Sequence, residues 1–199
     1  FVCVVLHELG HSLTAMRFGV NVRRILLMPI GGVAEFDRIP RSPAQELLIT
    51  VAGPSVNFTI AGLLWCAIKL SGGWEFAFGP WGDFVVTLLT WNIWVGLFNL
   101  IPAFPMDGGR IVRALLALKL PYLRATYWAV TLAKVVTIVG VPYAIYRENY
   151  FMAAIFVYIF MAGQAEYRAV KRRETDEALW RESLIRSISV PPATEPPVL

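Results

Sequence analysis

Two histidines, separated by three positions, are the residues with the clearest chemical potential. They open and close the motif His-Glu-Leu-Gly-His at residues 7–11, which follows an apolar run. Because side chains four positions apart lie on one face of an α-helix, the imidazoles of His7 and His11 can bind a single metal ion. Glu8 lies beside them, where its carboxylate can hold a water bound to that metal and accept its proton.

The chain contains only these two histidines. A five-residue pattern can arise by chance, and the alternative is a pair of histidines on a helix surface that bind no metal. When every histidine of a chain falls at the spacing that chelates zinc, a metal site is the better explanation. We therefore expect one Zn²⁺ per chain.

A catalytic zinc takes three protein ligands and leaves a fourth position for water, so one further ligand is needed. Cys3 is on the helical face of His7, but it is about 12 Å from His11 along the helix axis, which excludes it. Asp107 ends an apolar run among prolines and glycines, where a carboxylate is costly unless it is paired or bound to a metal. The alternative is that Asp107 is a helix-end or turn residue, with Gly108-Gly109 forming a plain turn.

Two asparagines within apolar runs are candidates for contacting a substrate. Asn99 lies eight residues before Asp107 and can hold a substrate backbone or stabilise a tetrahedral oxyanion. Asn57 follows a Gly-Pro pair in the second apolar run. Either asparagine can equally be a hydrogen-bonded tie between helices.

The composition is that of a membrane protein. Hydrophobic residues make up 57% of the chain, charged residues 16%, and the mean hydropathy is +0.58, whereas soluble domains average about 45–50% apolar and about 25% charged residues. The pI near 9.3 does not indicate nucleic-acid binding, because the basic residues are distributed as a topology signal. Both cysteines lie in apolar runs, so a disulfide framework is not expected.

The elements that must position the motif are membrane helices. The apolar runs predict an all-α polytopic fold with about five transmembrane helices, at residues 1–18, 44–70, 84–105, 127–146 and 150–165. Nearly all Lys and Arg fall in three segments that the positive-inside rule places in the cytoplasm, at residues 20–43, 106–126 and from 168 onward. The first helix then runs from outside to inside, and we expect a sixth, leading helix before it.

A short interfacial β-hairpin is predicted after the first helix. Residues 25–36 contain two extended runs that flank Gly31-Gly32, the predicted turn. The hairpin can simply rest on lipid, or its edge strand can pair with an unfolded substrate segment. In the second case Gly31 and Gly32 would help to position the substrate.

We divide the chain into a membrane domain at residues 1–165 and a cytoplasmic tail at residues 166–199. The tail is mixed in charge and then rich in proline, which is typical of a helix followed by a disordered end.

Three ordered motifs together resemble the site-2 protease family of intramembrane zinc metalloproteases. They are His7-Glu8-Leu9-Gly10-His11, Gly53-Pro54-x-x-Asn57 and Asn99-x-x-Pro102-x-Pro105-x-Asp107-Gly108-Gly109. The resemblance covers roughly residues 1–165. The family form that it resembles has no PDZ or CBS-type domain, and the family's leading helix corresponds to the sixth helix that we expect before the first one.

The resemblance implies that His7, His11 and Asp107 bind zinc, that Glu8 is the general base and that Asn99 positions the substrate. The family's membrane-associated strands would correspond to residues 23–38. Such enzymes cleave single-span membrane proteins in regulated intramembrane proteolysis. By resemblance, the protein is expected to be a zinc metalloendopeptidase in the lipid bilayer of a bacterial cell membrane.

Two other functions are compatible with the motifs. A catalytically silent scaffold could keep the fold and a structural metal, but it has no need of Glu8. A metal transporter could use the same ligands, but transporters usually show internal repeats and several intramembrane acids. The chain shows no visible repeat, and only Glu8 and Asp107 qualify as such acids. The sequence indicates no nucleic-acid partner and no particular oligomeric state.

Overall fold

The computed structural model describes residues 2–28, 31–36, 42–73, 79 and 81–189, with the backbone alone for residues 22–28, 31–36 and 189. Within these residues the chain forms helices and one two-stranded sheet. In chain order they are α1 (Val2–Arg17), β1 (Val22–Met28), β2 (Gly31–Phe36), α2 (Pro43–Leu70), α3 (Gly82–Asn99), α4 (Asp107–Ala117), α5 (Tyr122–Tyr146) and α6 (Tyr150–Ser189).

Helix α2 lies at the centre of the helical assembly, packed against α1, α3 and α4, while α5 connects α4 to α6. It begins with Pro43 in its first turn, where the missing N–H costs nothing. Pro54 lies inside the helix, and residues 53–57, where a proline could interrupt the second apolar run, stay helical. The second apolar run is therefore one helix of 28 residues.

Two helices, α2 and α5, are long and apolar enough to cross a membrane among the described residues. Large apolar side chains on their outer faces and on α3 are exposed, including Leu63 (66%), Trp91 (62%) and Ile138 (69%). Exposed apolar surface of this extent is unfavourable in water and favourable in contact with lipid. Helices α1, α3 and α6 do not meet the same criterion, so the count of about five spans stays a prediction.

The segment after α1 contains two antiparallel strands that lie against α1. Gly31 pairs with Met28 and Gly32 pairs with Leu27, so both glycines belong to strand β2. The prediction of a Gly-Gly turn was wrong, because the strands already pair at Gly31. The connection falls at residues 29–30, which lie outside the described residues. The location of the strands at a lipid surface stays a prediction.

Helix α3 ends at Asn99, earlier than the predicted end of the third span at residue 105. The next residues form turns, with Ala103 and Phe104 buried. Asp107 then opens α4 behind Met106, whose extended backbone forms the N-cap. Gly108 and Gly109 therefore lie in a helix and not in a plain turn. A Cβ on Gly108 would overlap the carbonyl groups of residues 100–101, so only glycine allows α4 to start this close.

Arg113 ties α4 to two other helices. Its side chain is 1% exposed, and Nε and Nη2 donate to Oε1 of Glu46 on α2 at 2.9 and 2.5 Å. Nη1 donates to Oε1 of Glu166 on α6 at 2.5 Å. Its guanidinium also lies 5.1 Å from the ring centroid of Phe104 and 5.0 Å from that of Tyr122. The sequence predicts that Arg113 lies in a loop of the basic segment at residues 106–126. That prediction was wrong, because Arg113 lies in helix α4 and its charge is neutralised inside the protein.

The same contact affects Glu166. Burial opposes ionisation of this carboxyl, but the Arg113 guanidinium outweighs burial and lowers the pKa of Glu166 below its ordinary value. Glu166 is therefore a carboxylate at neutral pH and an effective partner for Arg113.

Helix α6 runs without interruption for 40 residues. The predicted boundary between residues 165 and 166 falls inside it, so the division into two domains stays a prediction. The proline-rich end of the predicted tail, residues 190–199, lies outside the described residues.

Candidate metal centre

Helix α1 presents both histidines to the protein interior, as the four-residue spacing predicts. His7 and His11 are buried, their ring centroids are 4.7 Å apart and their planes meet at 83°. The two Nε2 atoms are 3.1 Å apart. One turn of helix therefore supplies two imidazole nitrogens that face the same point.

The start of α4 places Asp107 at that point. Its Oδ2 atom is 3.2 Å from Nε2 of His7 and 3.2 Å from Nε2 of His11. Among the described residues, these three side chains are the group of His, Cys, Asp and Glu that could hold a metal ion. The structure thus brings the three predicted ligands together across 100 positions of sequence.

The outer nitrogen of each imidazole is held by an acceptor on α2. Nδ1 of His11 donates to the carbonyl oxygen of Ile49 at 2.7 Å. Nδ1 of His7 donates to Oδ1 of Asn57 at 2.6 Å. A carbonyl oxygen cannot donate, so in the neutral imidazole the proton is on Nδ1 and the lone pair is on Nε2. Both histidines are therefore prepared to bind a metal through Nε2.

This donor set fits zinc. Two nitrogen lone pairs and a carboxylate oxygen converge within 3.2 Å of one another. A hydrogen bond from one nitrogen would explain only one of these short distances. A cation between the three atoms would explain all of them. A tetrahedral ion with bonds of about 2.0 Å also places its ligand atoms roughly 3.3 Å apart. Two imidazoles and one carboxylate make up a ligand set of catalytic zinc sites.

Gly53 of α2 faces the two imidazoles directly. A Cβ at this position would overlap the His11 ring and lie 2.8 Å from Nε2 of His7. The absence of a side chain therefore leaves the space that the imidazoles occupy. The Gly53-Pro54 motif of the sequence has a physical function here that its pattern alone did not reveal.

The remaining predicted site residues lie on α1, α3 and β2. Glu8 is partly buried next to His7 on α1. Asn99 is also partly buried, and its amide donates to the Val95 carbonyl of its own helix at 3.0 Å. Gly31 and Gly32 lie in β2, for which the side-chain surroundings are not described. Their predicted catalytic or substrate-positioning functions stay predictions.

One buried residue close to the site was not singled out from the sequence. Asn92 of α3 is fully buried and accepts a hydrogen bond from Nδ2 of Asn57 at 3.1 Å. The available signal was an asparagine in the middle of an apolar run, which is expensive in a membrane helix unless it is paired. Nothing in the sequence indicates that its partner is Asn57.

Comparison with known proteins places this geometry in a family. The profile of "Peptidase family M50" matches residues 1–79 and 73–140. The chain belongs to peptidase family M50.

Two of three matched relatives carry names that agree with the site, and the third is named for sporulation. Zinc metalloprotease MJ0392 of Methanocaldococcus jannaschii is 40% identical over 171 residues, which is 86% of this chain and 49% of that protein. The putative zinc metalloprotease Rip3 of Mycobacterium tuberculosis is 36% identical over 121 residues, 55% of this chain and 28% of that protein. Stage IV sporulation protein FB of Bacillus subtilis is 29% identical over 124 residues, 61% of this chain and 40% of that protein.

A solved structure shows the same fold. The site-2 protease from Methanocaldococcus jannaschii has a TM-score of 0.65 and 40% sequence identity, with 84% of this chain and 74% of that chain covered. The chain spans about half the length of the curated relative MJ0392 and a smaller share of the other two. The names of the M50 relatives point to Zn²⁺ as the cofactor, and the His-His-Asp group provides ligands for it.

Proposed function

We propose that this protein is an intramembrane zinc metalloendopeptidase that hydrolyses a peptide bond within or near the transmembrane segment of single-span membrane proteins. The observation that carries the proposal is the convergence of His7, His11 and Asp107 beside Glu8. The M50 family, whose matched relatives include zinc metalloproteases, supports the peptidase chemistry.

The ligands are His7 and His11 through Nε2 and Asp107 through its carboxylate. When bound there, zinc supplies Lewis acidity for the attack of water on a peptide carbonyl. Glu8 accepts the proton of the attacking water and delivers it to the leaving amine. A silent scaffold would not need this carboxylate one residue from a ligand.

Asn99 and the strands β1 and β2 hold the substrate in this proposal. A peptide bond in a helix is poorly accessible, so the substrate must become extended before hydrolysis. The open edge of the β1–β2 pair can add such a segment as a further strand through backbone hydrogen bonds, with Gly31 and Gly32 allowing its close approach. Asn99, at the end of α3, contacts the backbone nearer the metal.

The membrane arrangement follows from the charge distribution. We propose about five spans in residues 1–165, in a bacterial cell membrane, with residues 166–199 on the cytoplasmic side. The basic segments around α4 and the last half of α6 are then cytoplasmic, and so is the C-terminal end of α1. Water reaches the site from that side, through the irregular backbone between Asn99 and Asp107.

The experiment that tests the proposal compares the parent protein with Glu8→Gln. Both are purified in detergent, reconstituted into liposomes with a single-span membrane protein, and analysed for metal content and cleavage. We expect about one zinc in each protein and cleavage by the parent alone, because glutamine cannot accept a proton. Zinc in both with equal cleavage would refute the function of Glu8, and no zinc in the parent would refute the metal centre.

A further inference from the structure

Two asparagines form a fully buried amide pair behind the metal ligands. Asn57 on α2 and Asn92 on α3 are both 0% exposed. Nδ2 of Asn57 donates to Oδ1 of Asn92 at 3.1 Å, and Oδ1 of Asn57 accepts from Nδ1 of His7 at 2.6 Å. A buried amide in an apolar surrounding is costly unless its polar atoms are paired. Breaking either hydrogen bond would leave a buried polar atom without a partner, and this cost stabilises the arrangement.

The direction of each amide can be assigned from a backbone group. Nδ2 of Asn92 is 2.8 Å from the carbonyl oxygen of Leu88 and 3.2 Å from Sγ of Cys3. Because a backbone carbonyl only accepts, the NH₂ end of Asn92 must face Leu88. Its oxygen then faces Asn57, which in turn must present its NH₂ end to Asn92 and its oxygen to His7.

The direction of Asn57 decides which nitrogen of His7 can bind a metal. With the Asn57 oxygen facing Nδ1, the His7 proton stays on Nδ1 and the Nε2 lone pair points toward Asp107 and His11. If the Asn57 amide turned over, its NH₂ group would face Nδ1 and would favour the tautomer with the proton on Nε2. That tautomer cannot bind the metal through Nε2.

We propose that Asn92 is a positioning residue of the metal centre, which orients the Asn57 amide and thereby selects the metal-binding tautomer of His7. The proposal rests on the proposed zinc site and goes beyond it, because Asn92 acts on His7 through Asn57. The Leu88 carbonyl is the fixed end of the chain of hydrogen bonds, and His7 is the end that responds.

The test is a double-variant cycle in zinc affinity, measured on the full chain by competition with a chromophoric chelator. Asn92→Ala leaves Asn57 free to turn over. Because His7 then loses the acceptor at Nδ1, we expect zinc affinity to fall about 10- to 100-fold, the usual cost of losing an outer partner of a metal ligand. Asn57→Asp provides the second background, because both carboxylate oxygens accept and no orientation can present a donor to His7. In that background Asn92→Ala should change zinc affinity less than about threefold, well below the roughly 10- to 100-fold loss expected in the parent background.

A purely structural contribution of Asn92 gives a different result. Loss of packing alone would weaken zinc equally in the parent background and in the Asn57→Asp background, and that outcome would overturn the proposal. Thr90→Ala is the matched control, since the exposed Thr90 hydroxyl also donates to a carbonyl one turn back on α3, and it should leave zinc affinity unchanged.

The outcomes also separate this proposal from the proposed function. No zinc on the unaltered chain would overturn the metal centre and the positioning function together. Parental zinc affinity in Asn92→Ala, with zinc bound normally to the unaltered chain, would overturn the positioning function alone.

Discussion

Replacing Gly53 by alanine should destroy the metal centre although it adds only one methyl group. The new Cβ would lie 2.8 Å from Nε2 of His7 and would overlap the His11 ring, whereas ordinary contact begins at 3.4 Å. His7 would therefore have to move by about 0.6 Å, roughly three times the 0.2 Å by which zinc–ligand distances vary. Movement of either imidazole, or separation of α1 from α2, spoils the ligand geometry.

We expect the zinc affinity of Gly53→Ala to fall at least as far as when a metal ligand loses its hydrogen-bond partner, which is roughly 10- to 100-fold. Cleavage of a single-span substrate should be lost at zinc concentrations that saturate the parent protein. Both quantities can be measured on the reconstituted protein, by chelator competition and by electrophoresis of the products.

Gly62→Ala is the matched control on the same helix. A Cβ at Gly62 would meet nothing within 4 Å, and alanine is favoured over glycine in a helix interior by about 0.5–1 kcal/mol. Gly62→Ala should therefore keep zinc and activity. Parental zinc affinity and cleavage in Gly53→Ala would show that the imidazoles do not need the space above Gly53, and this reasoning would be wrong.

Two further predictions concern residues away from the ligands. Arg113→Met leaves the Glu46 carboxylate buried without its partner, and we expect about 3–5 kcal/mol of lost stability, measured by chemical unfolding in detergent. Adding Glu46→Gln should recover part of this stability, and the control Arg124→Met, at an exposed arginine, should change it little. Equal stability of the parent and the three variants would show that Arg113 does not tie the helices together. Ala34→Pro removes a donor from strand β2 and should abolish cleavage while zinc content stays at one per chain, and unchanged cleavage would refute substrate pairing at these strands.

The sequence was most informative where the chemistry is local. Two histidines four positions apart lie on one helical face whatever the rest of the chain does. Helix geometry alone therefore predicted that the imidazoles of His7 and His11 face the same point. Apolar runs likewise predicted helices over most of their lengths. Their ends were less certain, because α3 stops at Asn99 and Asp107 opens a helix only after several turns of irregular chain.

Interactions between distant helices could not be predicted in the same way. Arg113 read as one basic residue among several in a loop, yet it is buried between Glu46 and Glu166. Gly31 and Gly32 read as a turn because glycine permits one, but the strand register includes them in β2. In each case the residue type allowed several conformations, and contacts far away in sequence selected one of them.

Residue types and local spacing were enough to predict two imidazoles on one helical face, a carboxylate beside them and an apolar setting. Helix packing brings Asp107 to the imidazoles, leaves room for them at Gly53 and places Asn57 and Asn92 next to His7. Helix periodicity relates only residues a few positions apart. The approach of residues 50 or 100 positions apart depends on how whole helices pack.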